Sequence, residues 1–232
     1  MTLEICANSY QSAYNAQMAG AHRIELCSEL SIGGITPSHG LIQKVISDLT
    51  IETFVLIRPR SGDFCYTSSE FEVMMKDIEF CKTIGCHGIV SGVLNSDCSL
   101  DTDRTRELIE SARPLSFTFH RAFDLVPDPL KTLKRLIDLG VNRILSSGQQ
   151  SKAIDGLELL IELNQNSQDQ LIILPGSGII ADNVQSFKNN GFKEIHASAS
   201  EAITNDLSGL FGTQLTVSSI NNIKAILNNI NA

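Results

Sequence analysis

Four times along this 232-residue chain a glycine closes an amphipathic stretch and an isoleucine follows four positions later. The copies read Gly20-Ala-His-Arg-Ile-Glu-Leu, Gly85-Cys-His-Gly-Ile-Val-Ser, Gly140-Val-Asn-Arg-Ile-Leu-Ser and Gly191-Phe-Lys-Glu-Ile-His-Ala. Glycine accepts the left-handed backbone that ends a helix, and the run behind it suits a strand. Such a unit, repeated, means parallel strands joined by crossover helices. The pattern predicts strands at Leu3–Cys6, Arg23–Cys27, Ile51–Ile57, Gly88–Ser91, Ser116–His120, Arg143–Ser146, Leu171–Leu174 and Glu194–Ala197. Helices are expected at Ser9–Ala19, Ser38–Asp48, Ser69–Ile84, Asp103–Ser111, Pro129–Leu139, Ala153–Asn164, Asp182–Asn190 and Ser218–Asn229. Eight strand–helix pairs close a (β/α)8 TIM barrel. An open doubly wound sheet is the rival, but no Gly-x-Gly-x-x-Gly follows the first strand. No linker or low-complexity tract divides the chain. Residues 1–232 are therefore expected to form a single domain, with 199–217 an irregular loop and 218–232 a C-terminal helix.

Charge narrows the partners. With 18 Lys and Arg against 26 Asp and Glu the formal charge is −8, and such a surface repels nucleic acid and anionic lipid. No stretch reaches the roughly 18 apolar residues of a membrane span, and the N-terminus carries no signal-peptide pattern. The expected location is the cytoplasm, and the expected partner a small molecule, a metal ion or another subunit. Cysteines at positions 6, 27, 65, 81, 86 and 98 form no Cys-x-x-Cys pair, so reduced thiols are expected rather than a zinc site.

Strand alternation then sorts the side chains. Leu3 and Ile5 oppose Glu4 and Cys6; Ile24 and Leu26 oppose Arg23, Glu25 and Cys27; Phe117 and Phe119 oppose Thr118 and His120; Ile195 and Ala197 oppose Glu194, His196 and Ser198. Helices cover the outside of a barrel, so the apolar set faces outward and the polar set faces the lumen. Buried carboxylates need partners, and Arg58, His120 or a ligand are the expected ones for Glu4 and Glu25.

Three loops after strands can carry chemistry. Arg58 and Arg60 follow the third strand, suited to a carboxylate or phosphate or to pairing with Asp63, Glu25 or Asp124. His120 precedes Asp124 by four residues, and a histidine oriented by a carboxylate can move protons; a hydrogen-bonded core histidine is the plainer reading. Ser147-Gly148, Gly176-Ser177-Gly178 and His196-Ala197-Ser198 follow strands six, seven and eight. Barrels frequently bind phosphate there.

Leu3-Glu-Ile-Cys6, Arg23-Ile-Glu-Leu-Cys-Ser28, Gly33-Gly34-Ile-Thr-Pro37, Ile57-Arg-Pro-Arg-Ser-Gly-Asp-Phe64, Thr118-Phe-His-Arg-Ala-Phe-Asp124, Ile144-Leu-Ser-Ser-Gly148 and Leu174-Pro-Gly-Ser-Gly178, taken together, resemble the CutC family of copper homeostasis proteins. The resemblance runs in order over about residues 3 to 198. It implies a TIM barrel, a cytoplasmic place, a homo-oligomer such as a dimer or tetramer, and Cu(I) as the bound metal, with Cys6 and Cys27 at the positions of the family's proposed copper ligands. Ser61 and Ser177 stand where the family more usually has glycine, and the His-x-Ser of the last strand is kept as His196-Ala197-Ser198. Two classes of function stay open. One is a copper-binding homeostasis protein. The other is a lyase- or isomerase-like enzyme for a small anionic or phosphorylated metabolite, with Arg58 and Arg60 as clamp, His120 with Glu25 and Asp124 moving protons, and the turns around Ser147, Gly148, Gly176, Ser177, Gly178 and Ser198 holding the anion.

Overall fold

A computed structural model describes residues 1–203 and 215–231. Eight parallel strands form one sheet: β1 (Thr2–Ala7), β2 (Arg23–Leu26), β3 (Glu52–Leu56), β4 (Gly88–Ser91), β5 (Ser116–Phe119), β6 (Arg143–Ser146), β7 (Ile172–Pro175) and β8 (Glu194–Ala197). Between and after them run α1 (Tyr10–Ala19), α2 (His39–Asp48), α3 (Ser68–Thr83), α4 (Thr102–Ala112), α5 (Pro129–Leu139), α6 (Leu157–Ser167), α7 (Val184–Asn189) and α8 (Ile220–Asn231). The strand order is β7-β6-β5-β4-β3-β2-β1-β8. A parallel bridge between Gly176 and His196 links the two ends, so the sheet curls into a nearly closed barrel. The expected TIM barrel is the observed fold.

The glycine repeat has a mechanical reason beyond ending helices. In three of its copies the third residue clamps the strand before it. His22 Nδ1 accepts the Leu3 N–H at 3.0 Å while the His22 N–H donates to the Leu3 carbonyl at 3.1 Å. His87 makes the same two bonds to Thr53, and Asn142 makes them to Phe117 through its Oδ1. Each clamp fixes where the new strand enters relative to its neighbour, and register decides which face every later side chain takes. Ile24, Ile89, Ile144 and Ile195 consequently all pack outward against the helices, fully buried.

One helix and one loop differ from expectation. α6 begins at Leu157, four residues late, because residues 147–156 make a tight turn. There the backbones of Gly148 and Gly156 meet so closely that a Cβ on Gly148 would lie 2.2 Å from the Gly156 carbonyl oxygen. The segment 199–217, expected to be irregular, lies in part outside the described residues. Its described flanks form a short antiparallel ladder, β9 (Ser200–Ala202) with β10 (Thr216–Ser218).

The apolar outer faces and the helices share one core, while Cys6, Cys27, Phe54, Leu56 and Val90 form a separate cluster in the lumen. Phe54 sits deepest. Its register partner on β4 is Gly88, and a Cβ there would come within 2.6 Å of three ring carbons. The ring lies across the space a side chain would take. The Arg23 and Arg143 guanidinium carbons stand 4.7 and 5.2 Å from its centroid, within cation–π range. Gly88→Ala is therefore expected to lower the free energy of unfolding by about 1–3 kcal/mol, the usual cost of overpacking. Urea unfolding measures it, and an unchanged midpoint would mean the ring has room to move.

Candidate functional site

The lumen is closed at its base by ions. Arg23, 2% exposed, donates to Glu4 Oε2 at 2.5 Å and also to Glu194. Arg143 donates to the same Glu194 oxygen at 2.8 Å and to Ser116 Oγ at 2.7 Å. Two cations thus meet two carboxylates. The partner of Glu4 is Arg23, on the face alternation assigned to the lumen, and neither Arg58 nor His120. Burial pushes the Glu4 carboxyl up, but the Arg23 charge and the hydrogen bond from His196 outweigh it and bring it down to about 2. An ionised Glu4 accepts, so His196 Nδ1 is the donor in their 2.7 Å contact.

Above this floor lies a cavity of about 270 Å³ opening at the carboxyl ends of the strands. Cys6, Glu25, Arg58, His120, His196 and Ser198 all line it. At its base the Sγ atoms of Cys6 and Cys27 are 3.5 Å apart. The thiol of Cys6 is raised above its ordinary value by its hydrogen bond to Cys27 and by burial. Burial alone would lower His196, yet its hydrogen bonds with Cys6 and Glu4 and the charge of Glu25 hold it well above the usual imidazole range. Glu25 has no counterpart of Arg23. Burial pushes it up to about 7, and its Oε2 is buried without a hydrogen-bond partner, 3.8 Å from His196 Nδ1.

The opposite chemistry stands at Arg58 and His120. Arg58 is 5% exposed and gives its Nη protons to main-chain carbonyls, to Ile32 at 3.0 Å, Gly34 at 2.9 Å and Gly62 at 2.8 Å, leaving Nε–H unpartnered. It braces the rim loops after β2 and β3. His120 Nδ1 accepts the Ala122 N–H at 3.2 Å, so the neutral ring carries its proton on Nε2, which is buried and has no acceptor. Burial, then the Arg58 charge, drive His120 down to about 3.

Several expected site residues lie elsewhere. Asp124 does not orient His120. It accepts from Arg121 in its own loop, and from Ser146 Oγ (2.6 Å) and the N–H and hydroxyl of Ser147, at the end of β6 and in the loop just after it. The chain turns Asp124 away because that loop offers it several donors at once. Ser147 and Gly148 are consumed in the same knot. Arg60 is paired outside with Glu70 at 2.5 Å and Asp63 at 2.9 Å, across an exposed loop. Gly176 sits under the rim against Leu145 and His196, so Ser177 and Gly178 are the members of that turn facing the cavity. Cys27 lies behind Cys6, fully buried. Arg121, which the reading of the loops passed over, lines the mouth; its only signal was its place next to His120.

The model of the CutC family matches residues 1–201. The chain belongs to the CutC family. A CutC family protein of Parabacteroides distasonis is 48% identical over 200 residues, which is 85% of this chain and 82% of the relative. The human copper homeostasis protein cutC homolog is 45% identical over 198 residues, covering 85% of this chain and 72% of the human one. The crystal structure of the putative copper homeostasis protein CutC from Streptococcus agalactiae superposes with a TM-score of 0.81 at 30% identity, covering 85% of this chain and 98% of that one. Among the described residues, no helix is long and apolar enough to cross a membrane.

The buried imidazole makes a pH prediction. The unfolded chain protonates His120 near 6.5, whereas the folded protein resists until about 3. Stability from this group is full above pH 6.5 and is lost as pH falls from there towards 3. Between pH 6 and 4, unfolding free energy should fall faster in the wild type than in His120→Gln, by about 1.4 kcal/mol per pH unit. Parallel curves from denaturant titrations at several pH values would refute the buried neutral ring.

Proposed function

We propose that this protein binds Cu(I) through Cys6 and Cys27 at the base of the barrel mouth, as a copper homeostasis protein. One observation carries the reading: two buried thiol sulfurs 3.5 Å apart, one of them lining an open cavity. Cu(I) selects soft sulfur ligands, and a metal held between the two sulfurs displaces their two thiol protons to solvent. The names of the human and streptococcal relatives point the same way.

The surroundings suit a metal thiolate. Both cysteines leave strand ends on adjacent strands, so their Cβ atoms are carried by the rigid barrel rather than by a loop. His196 bonds to Glu4 on one side and stands against Cys6 on the other, a position from which it steadies negative charge on sulfur. Outer partners of this kind orient ligands and tune affinity. The reading needs both thiols reduced, which suits a reducing compartment such as the cytoplasm.

Anaerobic competition against a Cu(I) chelator tests the site. Cys6→Ser and Cys27→Ser should each weaken Cu(I) binding by more than tenfold, and His196→Gln by about 10–100-fold, the range for a residue that orients a ligand. Wild-type affinity in both serine variants would sink the proposal.

A further inference from the structure

Copper on Cys6 and Cys27 leaves the best-built part of the cavity without work. We propose that the mouth above the thiols binds a small organic acid, with its carboxylate or phosphate on Arg58 and His120 and a hydroxyl turned towards Glu25. This site goes beyond the copper reading and does not depend on it.

The first support is charge. Arg23 and Arg143 are each neutralised by a carboxylate, whereas Arg58 has no carboxylate within ion-pair distance among the described residues. A buried cation compensated only by carbonyl dipoles is costly, and its cost is removed when an anion arrives. Of the five N–H donors of a guanidinium, three meet carbonyls of Ile32, Gly34 and Gly62. Nε–H, the atom on the fork that suits a carboxylate or phosphate, is buried and unpartnered. A Cu(I) ion gives this group nothing to bind, since like charges repel.

The second support is His120. Its tautomer is set by the Ala122 N–H, and Nε2–H is left as a buried donor with no acceptor. Gly92 opens the space behind the ring, where a Cβ would come within 2.7 Å of Nδ1, and Phe64 lies 4.8 Å from it, centroid to centroid. The imidazole is therefore held in one orientation. Buried donors without partners are rare in folded proteins, and here the two residues that carry them, Arg58 and His120, both line one cavity.

Size and the third orphan specify the rest of the ligand. The cavity of about 270 Å³ is several times the roughly 30 Å³ share of one water, so it suits a molecule of several heavy atoms rather than a single ion. Glu25 lines the same space, and its buried Oε2 is also unpartnered. A carboxyl group there can take a hydroxyl as its hydrogen-bond partner. Ser177, Gly178 and Ser198 complete the rim.

Calorimetric titration of the full chain with L-malate and with glycerol 3-phosphate, copper removed by chelator throughout, tests the site. At least one probe should bind, and which one binds tells a carboxylate from a phosphate. His120→Phe removes the donor and should weaken binding more than tenfold. Ser198→Asp puts a negative charge on the rim at a half-exposed position, and should do the same without disturbing the interior. Succinate, which lacks the hydroxyl of malate, should bind at least fivefold more weakly if malate is the probe bound. Absence of heat from both probes at millimolar concentration, or unchanged affinity in both variants, would overturn the proposal. Because copper is absent, neither result bears on Cys6 and Cys27.

Discussion

Arg23 reaches from β2 past β1 to a carboxylate on β8, and Arg143 reaches from β6 past β7 to the same one. The backbone closes the barrel between β7 and β8 with one isolated bridge. The Arg143 guanidinium therefore spans the seam from inside, where the ladder is thinnest, and Arg23 holds Glu194 from the other side. A buried ion pair contributes little net stability compared with a well-packed apolar group of its size, but losing one partner leaves an unpaired charge and costs about 3–5 kcal/mol. The charges make the lumen intolerant of any arrangement other than this one. Most barrels of this class fill the same space with branched aliphatics, which pack well in several ways.

From that floor upward the lumen changes from satisfied to unsatisfied polarity. Glu4, Arg23, Glu194 and Arg143 answer one another's bonds; Glu25, Arg58 and His120, one layer higher, each keep an atom with no partner. The gradient follows position along the strands. Residues at the amino ends, below the mouth, are fixed by register and can be matched only by each other. Those at the carboxyl ends sit where a solute can supply what the chain does not.

Alternation within β1, β2, β5 and β8 sufficed to place Glu4, Glu25, His120 and His196 in the lumen, because a covered outer face forces polar side chains inward. The glycine repeat likewise announced the barrel, since each copy marks one helix-to-strand entry. What alternation does not carry is partner choice. Asp124 lies four residues after His120, yet the turn after β6 brings it a hydroxyl, two main-chain N–H groups and another hydroxyl, and those donors win. Arg60 is two residues from Arg58, yet a short loop between them sends one inward to carbonyls and the other outward to Glu70. The clamps by His22, His87 and Asn142 were equally hidden; the residues were visible as turn residues, and their bonding partners lie 19 to 34 positions away.

Among the described residues, a vessel stoppered by salt at one end opens at the other. Whatever enters must leave by the same route, past Arg58 and the turns that carry Ser177 and Ser198. Were both proposed guests to bind, arrivals and departures would queue, the occupant near the rim holding back the one seated deeper. The stopper also separates two kinds of change in the gene. Edits around the doorway alter the traffic and leave the scaffold intact, whereas edits at the stopper threaten the scaffold whatever the traffic.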